Sequence, residues 1–346
     1  GMMEDSVPAI DTKTKREAPT LAEVAALAGV SPATASPVLN NSARVSPTAR
    51  QQVRDAVTRL GYVRQRAART TDASRQAHAI AAVVCGPSPR IFADPFYARV
   101  LDGAATALAA HDMPLLLAFG ERPGAVERYL RGGHVSGVLL VCSPWGNPLA
   151  TAVATSRLPV MLIGRPLQFA DLAYVDVDNR GGARRAVEHL IGHGRQSIAA
   201  VAGPRDTSVG VDRLAGYRDA LESVERAPGP VAYGDFTRVS GVHAMSRLLD
   251  HRPNLDAVFV ASDLMAMGVL HALRRAGRRV PDDVAVVGFD DLPMAAYTEP
   301  PLTTVRQPVE ELGAVAARRL LGTIEGRAED SALHVLPTTL VVRRSG

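Results

Sequence analysis

Between Thr20 and Leu60 the chain marks the start of three successive helices. Thr20-Leu-Ala-Glu23 has the form of a capping box: the Thr hydroxyl accepts an orphan amide of the first turn, and the Glu carboxylate reaches back. Ser31-Pro32 sets a capping serine before a proline at the first helical position, where a missing N–H costs nothing. Ser46-Pro47 repeats the device, and Gly29 supplies a sharp turn between the first two helices. Apolar residues recur at helical spacing: Leu21, Val24, Ala25 and Ala28, then Ala35, Val38 and Leu39, then Val53, Val57 and Leu60. A three-helix unit with a very small core follows, and its first two helices read as a helix-turn-helix.

A generic helical bundle would satisfy the same pattern, and charge separates the two readings. From Thr12 to Thr70 there are ten Lys or Arg and three acids (Glu17, Glu23, Asp55), a balance of +7 against +4 for the whole chain, so the remainder carries about −3. A basic head on a mildly acidic body is the footprint of contacts to nucleic-acid phosphates. Thr20, Ser31, Thr34, Ser36 and Asn40 can donate to phosphates near helix N-termini. Arg44 is the best reader of a base edge, because a guanidinium can bond guanine in bidentate fashion. Pro32 and Ala33 offer only apolar contact.

Beyond about Ala77 the period changes. Short apolar runs (Ala79–Cys85, Pro114–Ala118, Gly137–Cys142, Val160–Gly164) alternate with helical stretches. A second series follows, with runs at Tyr174–Val177, Ile198–Ala202, Val231–Tyr233, Ala257–Ala261 and Val284–Gly288. Continuous apolar strands separated by helices mean parallel sheets covered on both faces. Two series predict two doubly wound lobes, with a ligand in the cleft beyond the carboxyl ends of the strands. Arg213 and Asp290 each fall at a strand end on that side and can fork neighbouring hydroxyls. Phe96 and Tyr97 are candidates for a stacking wall or for core. Arg165 and Thr207 sit on strand-end loops, and Trp145 reads best as a surface-loop anchor. The chain lacks the Gly-x-Ser-x-Gly elbow, the Walker loop, the strand–helix Gly-x-Gly-x-x-Gly and His-Glu-x-x-His, so an enzyme is not expected. Neither a cofactor nor a metal is expected; His189 and His193 read as helix-end interactions. Cys85 and Cys142 read as reduced buried thiols. No secretory signal and no membrane-spanning run are found, so the expected location is cytoplasmic, at the nucleoid.

The run Thr20-Leu-Ala-Glu-Val-Ala-Ala-Leu-Ala-Gly-Val-Ser-Pro-Ala-Thr-Ala-Ser-Pro-Val-Leu-Asn40 resembles the DNA-binding head of the lac repressor (LacI) family. The likeness continues through Asp94-Pro-Phe-Tyr97, Asp178-Asn179, Arg213-Leu-Ala-Gly-Tyr217, Ala261-Ser-Asp263, Val287-Gly-Phe-Asp-Asp291 and Pro300–Gln307. The resemblance implies an N-terminal all-α helix-turn-helix domain plus an α/β two-lobed core of the periplasmic-binding-protein kind, with two doubly wound parallel sheets. It implies a repressor that binds a pseudo-palindromic operator as a homodimer, with a tetramer left open, under control of a small effector that is most often a carbohydrate. It adds Asp94 and Ser262 to the effector candidates Phe96, Tyr97, Arg165, Thr207, Arg213 and Asp290. The expected domains are a disordered 1–17, the head at 18–63, a hinge at 64–76 and the core at 77–346. Within the core, lobe 1 takes about 77–176 and 305–330, and lobe 2 takes 177–304 and 331–346. A solute-binding protein without DNA function is the alternative.

Two departures from the family pattern stand out. Pro37 occupies the place of an Arg that often reads a base, and an interior proline costs ~3 kcal/mol through a lost hydrogen bond and a clash with the preceding turn. The second helix is therefore expected to be kinked or one turn short, with weaker or altered DNA binding. In the hinge, Arg64 and Gln65 replace Pro-Asn and Thr71 replaces a minor-groove-wedging Leu. Arg64, Arg66 and Arg69 then predict more phosphate attraction and less wedging.

Overall fold

The computed structural model describes residues 19–39, 45–62, 79–86, 88–120, 122–141, 144–168, 171–327 and 333–346. The head consists of α1 (Leu21–Ala28), α2 (Pro32–Leu39) and α3 (Pro47–Leu60). Its core is Val24, Ala25, Ala28, Ala35, Val38, Val53 and Ala56, all small or β-branched, so the helices pack close. The capping box forms: the Glu23 amide donates to the Thr20 hydroxyl at 3.2 Å, and the Thr20 amide donates to Glu23 Oε2 at 2.7 Å. Gly29 closes α1 in the left-handed region at φ 70°, a conformation that costs glycine little. α1 and α2 meet at 104°, inside the ~90–120° range of a helix-turn-helix. Against expectation, α2 runs unbroken through Pro37 to Leu39. Proline removes only the bond to the Ala33 carbonyl, and the buried Ala35 and Val38 on either side hold the helix to the core.

The core runs in chain order through β1 (Ile80–Val84), α4 (Ser88–Ala93), α5 (Pro95–Ala109), β2 (Leu115–Phe119), α6 (Pro123–Arg131), β3 (Gly137–Val141), α7 (Pro148–Ala154), β4 (Val160–Ile163) and β5 (Tyr174–Val177). It continues with α8 (Asn179–Gly192), β6 (Ile198–Ala202), α9 (Ser208–Glu222), β7 (Val231–Tyr233), α10 (Arg238–His251), β8 (Ala257–Val260), α11 (Asp263–Arg275) and β9 (Ala285–Asp290). A 3-10 turn (Pro293–Tyr297), β10 (Thr303–Arg306), α12 (Val309–Ile324), β11 (Leu333–Leu336) and β12 (Thr339–Val341) complete it. Two six-stranded sheets result, ordered β11-β5-β4-β3-β1-β2 and β12-β10-β9-β8-β6-β7. Every pairing is parallel except β10 with β12. The central strands are buried along their whole length, as a sheet covered on both faces requires.

The lobe boundaries need two corrections. Residues 333–336 join lobe 1 as a strand parallel to β5 rather than lobe 2, because Leu336 packs in the lobe 1 core beside Val177. Val305 and Arg306 belong to lobe 2, not lobe 1, since Val305 pairs with Phe289 and is buried in that lobe's core. The chain thus crosses between lobes after β5, after β10 and after β11. Helices pair through glycines in both lobes. A Cβ on Gly103 of α5 would stand 1.9 Å from the Glu310 carbonyl oxygen of α12, and one on Gly313 2.0 Å from that of Val100. These helices approach backbone to backbone, which fixes the strand ends they cover.

Candidate functional site

The head presents its helix starts outward. Ser31, Pro32 and Ala33 are exposed and Thr34 is half-buried. Ser31 caps α2, its Oγ accepting the Thr34 amide at 3.2 Å and lying 3.1 Å from the Thr34 hydroxyl. Thr20 and Ser46 cap α1 and α3 in the same way. Ser36 lies on α2 one residue before Pro37. Arg54 and Arg59 are exposed on α3. Asn40, Arg44, Arg64, Arg66 and Arg69 fall outside the described residues, as does Cys142, and so do residues 1–17 and the hinge at 64–76.

In the core, the strand ends of both sheets surround one cavity of about 320 Å³. All eight effector candidates (Asp94, Phe96, Tyr97, Arg165, Thr207, Arg213, Ser262 and Asp290) line it. At its floor lies Arg213, on α9 and only 4 % exposed. Its Nε donates to Asn179 Oδ1 at 2.9 Å, its Nη1 to the Ala261 carbonyl at 2.7 Å and, more loosely, to Asp290 Oδ1 at 3.4 Å. The guanidinium lies 3.7 Å from the centroid of the Phe289 ring, so a flat apolar face supports the flat cation. Asp290 ends β9 at φ 128°, a strained conformation for a non-glycine residue, and accepts from Gln307 Nε2 at 2.6 Å.

One buried guanidinium serves four buried or half-buried carboxyls, and the titration of the site follows from that ratio. Burial pushes Asp290 up to about 8; Arg213 opposes the shift, while Asp263 and Asp94 add to it. Burial likewise lifts Asp176 to about 6, against amide donors at Val177 and Arg165. It raises Asp94 as well, against the Phe96 amide and the charges of Arg213 and Arg90. Desolvation lowers Arg213 while the surrounding aspartates raise it, and a guanidinium stays charged throughout. Asp263, lifted to about 6 by burial, is already engaged: it accepts from Thr304 at 2.6 Å and from the Leu292 amide at 2.9 Å, tying β10 to the segment after β9.

The other candidates divide by what they hold. Arg165 makes a two-pronged ion pair across the cleft with Asp212 (2.9 and 2.7 Å), which raises the arginine further. The Thr207 hydroxyl caps α9 and donates to the Pro204 carbonyl at 2.9 Å, so its wall is structural as it stands. Ser262 caps α11 through the Met265 amide at 3.3 Å. Phe96 and Tyr97 pack edge to face at 5.4 Å, facing the cavity from α5 and abutting the lobe 1 core. Trp145 is exposed, and its amide donates to the Asp206 carbonyl at 2.7 Å, a second tie between lobes. Cys85 is buried on the cavity wall.

Sequence reasoning on its own missed Arg90, Asp176, Asn179, Asp235, Phe236 and Gln307, which also line the cavity. Asn179 and Gln307 were within reach. Each follows a strand by a residue or two where the chain crosses between lobes, and a short polar residue there has only the cleft to face. Arg90 and Phe236 carried no signal, since the six-residue α4 and the loop after β7 are too short to show a period.

The head, residues 20–65, matches the model for "Bacterial regulatory proteins, lacI family", and residues 187–346 match the "Periplasmic binding protein-like domain". The chain is 46% identical over 339 residues to the HTH-type transcriptional regulator CelR of Thermobifida fusca, covering 96% of this chain and 99% of that protein. It is 32% identical to the HTH-type transcriptional repressor CytR of Escherichia coli strain K12, covering 96% and 98%. Among solved structures it is similar to a transcriptional regulator CelR–cellobiose complex, with TM-score 0.76 and 44% identity over 95% of this chain and 100% of that one. It is similar also to the lac repressor dimer bound to operator and the anti-inducer ONPF, with TM-score 0.71 and 29% identity over 95% and 99%. The chain therefore belongs to the lacI family of bacterial regulatory proteins, DNA-binding transcriptional regulators rather than enzymes.

Proposed function

We propose that this regulator is a homodimeric repressor, acting in the cytoplasm at the nucleoid, that releases or grips its operator according to a neutral sugar in the interlobe cavity. The observation that carries the sugar is the charge of the walls. Five aspartates (94, 176, 206, 235 and 290) face three arginines (90, 165 and 213), and Arg165 is already matched by Asp212. A sugar phosphate would enter against that surplus, whereas hydroxyls can donate to the carboxylates and accept from Arg213. The volume of about 320 Å³ sits at the small end of the ~300–1,000 Å³ usual for small-molecule sites. Cellobiose, bound by the similar CelR, is the first candidate. Arg213, Asp290 and Asn179 grip its hydroxyls, Asp94 and Arg165 close on it from lobe 1, and Phe96 and Tyr97 bound its apolar side. Ser262 and Thr207 set the helix starts that hold the floor.

On the DNA side, the caps Thr20 and Ser31, together with Thr34, Ser36 and Asn40, position the head through phosphates. Arg44 reads, Pro32 and Ala33 touch a thymine methyl at most, and Arg64, Arg66 and Arg69 add backbone attraction. By linkage, the effector changes operator affinity by the same factor as operator changes effector affinity. Titration calorimetry with cellobiose and with glucose 6-phosphate, on the wild type and Arg213→Ala, tests the reading. Cellobiose binding that disappears in the variant is expected. Tighter binding of the phosphate, or a variant that binds as well as the wild type, would overturn it.

A further inference from the structure

A second cavity adjoins the first. Arg90, on α4, donates to the Asp235 carbonyl and lies 5.9 Å from the ring centroid of Phe236, so lobe 1 and lobe 2 touch across the cleft at this strap. Arg90, Asp94 and Phe236 wall the cavity described above and also an outer one of about 250 Å³, to which Ala93, Thr237, Arg238 and Leu264 belong alone. Neither Arg213 nor Asp290 reaches the outer space. The three shared residues form a waist between two compartments.

The waist is held in a costly shape. Phe236 sits at φ 70°, a region that bulky side chains seldom enter, and its ring lies against Gly203, where a Cβ would come within 2.7 Å of it. The neighbouring loop is fastened: Asp235 Oδ1 accepts both the Thr237 hydroxyl (2.5 Å) and the Thr237 amide (3.1 Å), and the Ser240 amide donates to the Thr237 hydroxyl at 3.1 Å. The Thr237 hydroxyl is therefore committed. The outer compartment is left with an aromatic ring, the apolar side chains of Ala93 and Leu264, one carboxyl and the guanidiniums of Arg90 and Arg238. A flat apolar surface ringed by charged donors and an acceptor suits a second sugar ring, with its apolar face on Phe236 and its hydroxyls on Arg238 and Asp94.

We infer that the effector is an oligosaccharide with one ring at Arg213 and Asp290 and the next beyond the Arg90–Phe236 waist, and that Ala93 and Arg238 set the preference for chain length. The inference rests on the sugar-effector reading above. The test measures glucose, cellobiose and cellotriose by calorimetry on the wild type, Ala93→Trp and Arg238→Ala. Ala93 is exposed at the end of α4, so the indole fills the outer compartment without entering the core. In the wild type, cellobiose is expected to bind at least about tenfold more tightly than glucose, which corresponds to ~1.4 kcal/mol. In both variants that advantage should shrink to within about threefold, with glucose binding unchanged. Variants that keep the full advantage, or a wild type that binds glucose as tightly as cellobiose, would overturn the second subsite while leaving the sugar reading intact. Failure of all three sugars to bind the wild type would instead remove both.

Discussion

Asp290→Asn separates the charge of the cleft floor from its shape. The amide keeps an oxygen for Gln307 and Arg213 and cannot ionise. In the wild type, burial and the neighbouring carboxyls move Asp290 from the ordinary 3.8 to about 8. A carboxyl that holds its proton more tightly folded than unfolded makes folding take up a proton between those values. The stability it lends is complete below pH ~4 and is lost as pH rises through the folded value. The full lift corresponds to a ceiling of ~6 kcal/mol. About half of that, ~2–3 kcal/mol, falls between pH 6 and the folded value. Urea unfolding of the core between pH 5 and 9 reads it directly. Wild-type stability should fall by that amount from pH 6 to 9, and the variant should stay level from pH 7 upward. Asp176 and Asp263, both lifted to about 6, give the two proteins a shared slope below that. Parallel curves from pH 7 to 9 would refute the argument, because Asp290 would then be ionised throughout and Arg213 would be its full partner. The same chemistry reaches binding: a sugar that draws Asp290 into its ionised form releases a proton, so the calorimetric heat should depend on the buffer's ionisation enthalpy more in the wild type than in the variant.

Pro37→Arg restores a helix-interior hydrogen bond and adds a base-reading cation. Operator affinity in a fluorescence titration should rise at least about tenfold, with the salt slope steeper by ~1. Arg165→Ala removes the Arg165–Asp212 pair that spans the cleft mouth. Being partly exposed, the pair lends stability of less than ~1 kcal/mol, so thermal unfolding should barely move while effector dissociation quickens. Gly103→Ala forces a methyl into the 1.9 Å gap to the Glu310 carbonyl, and prising α5 from α12 should cost roughly 2–3 kcal/mol in a denaturant midpoint.

What the sequence disclosed depended on how local the signal was. Caps are local: Thr20 and Glu23, or Ser46 and Pro47, act within one turn, so the head could be read residue by residue. Buried parallel strands are nearly as local, because full burial demands continuous apolar runs such as Ile80–Val84 and Ile198–Ala202. Pro37 was misjudged in its structural effect. The lost bond is local, but the restraint from buried Ala35 and Val38 is tertiary. The end of the chain was misassigned for a similar reason. Leu333–Leu336 is too short to announce its sheet, and only its packing beside Val177 places it in lobe 1. In the cleft, the ionic residues at strand ends were legible. Arg90 and Phe236 were not, since they meet only after two lobes have folded and faced each other.

The placement of Asn179 and Gln307 gives the cleft its leverage. Asp176, at the end of lobe 1's β5, accepts the Arg165 amide at 3.0 Å and the Asn179 side-chain amide at 3.1 Å. Asn179 accepts from Arg213, Arg213 reaches Asp290, and Asp290 accepts from Gln307. This chain of bonds starts in lobe 1, passes through the first crossing segment, enters lobe 2 and ends on the second crossing. The third crossing is laced to the first, because Thr338 donates to the Asp178 carbonyl at 3.2 Å and the Asp178 amide donates to that of Leu336 at 2.9 Å. A ligand that engages Arg213 or Asp290 must therefore alter bonds made by the residues at which the chain turns from one lobe to the other. Its binding energy shifts the lobe arrangement only to the extent that those bonds differ between arrangements. The loose 3.4 Å contact between Arg213 and Asp290 is the one in the chain with room to tighten. Hydroxyls that bridge that pair would strengthen one arrangement of the crossings over the other, which is the differential contact that effector control requires.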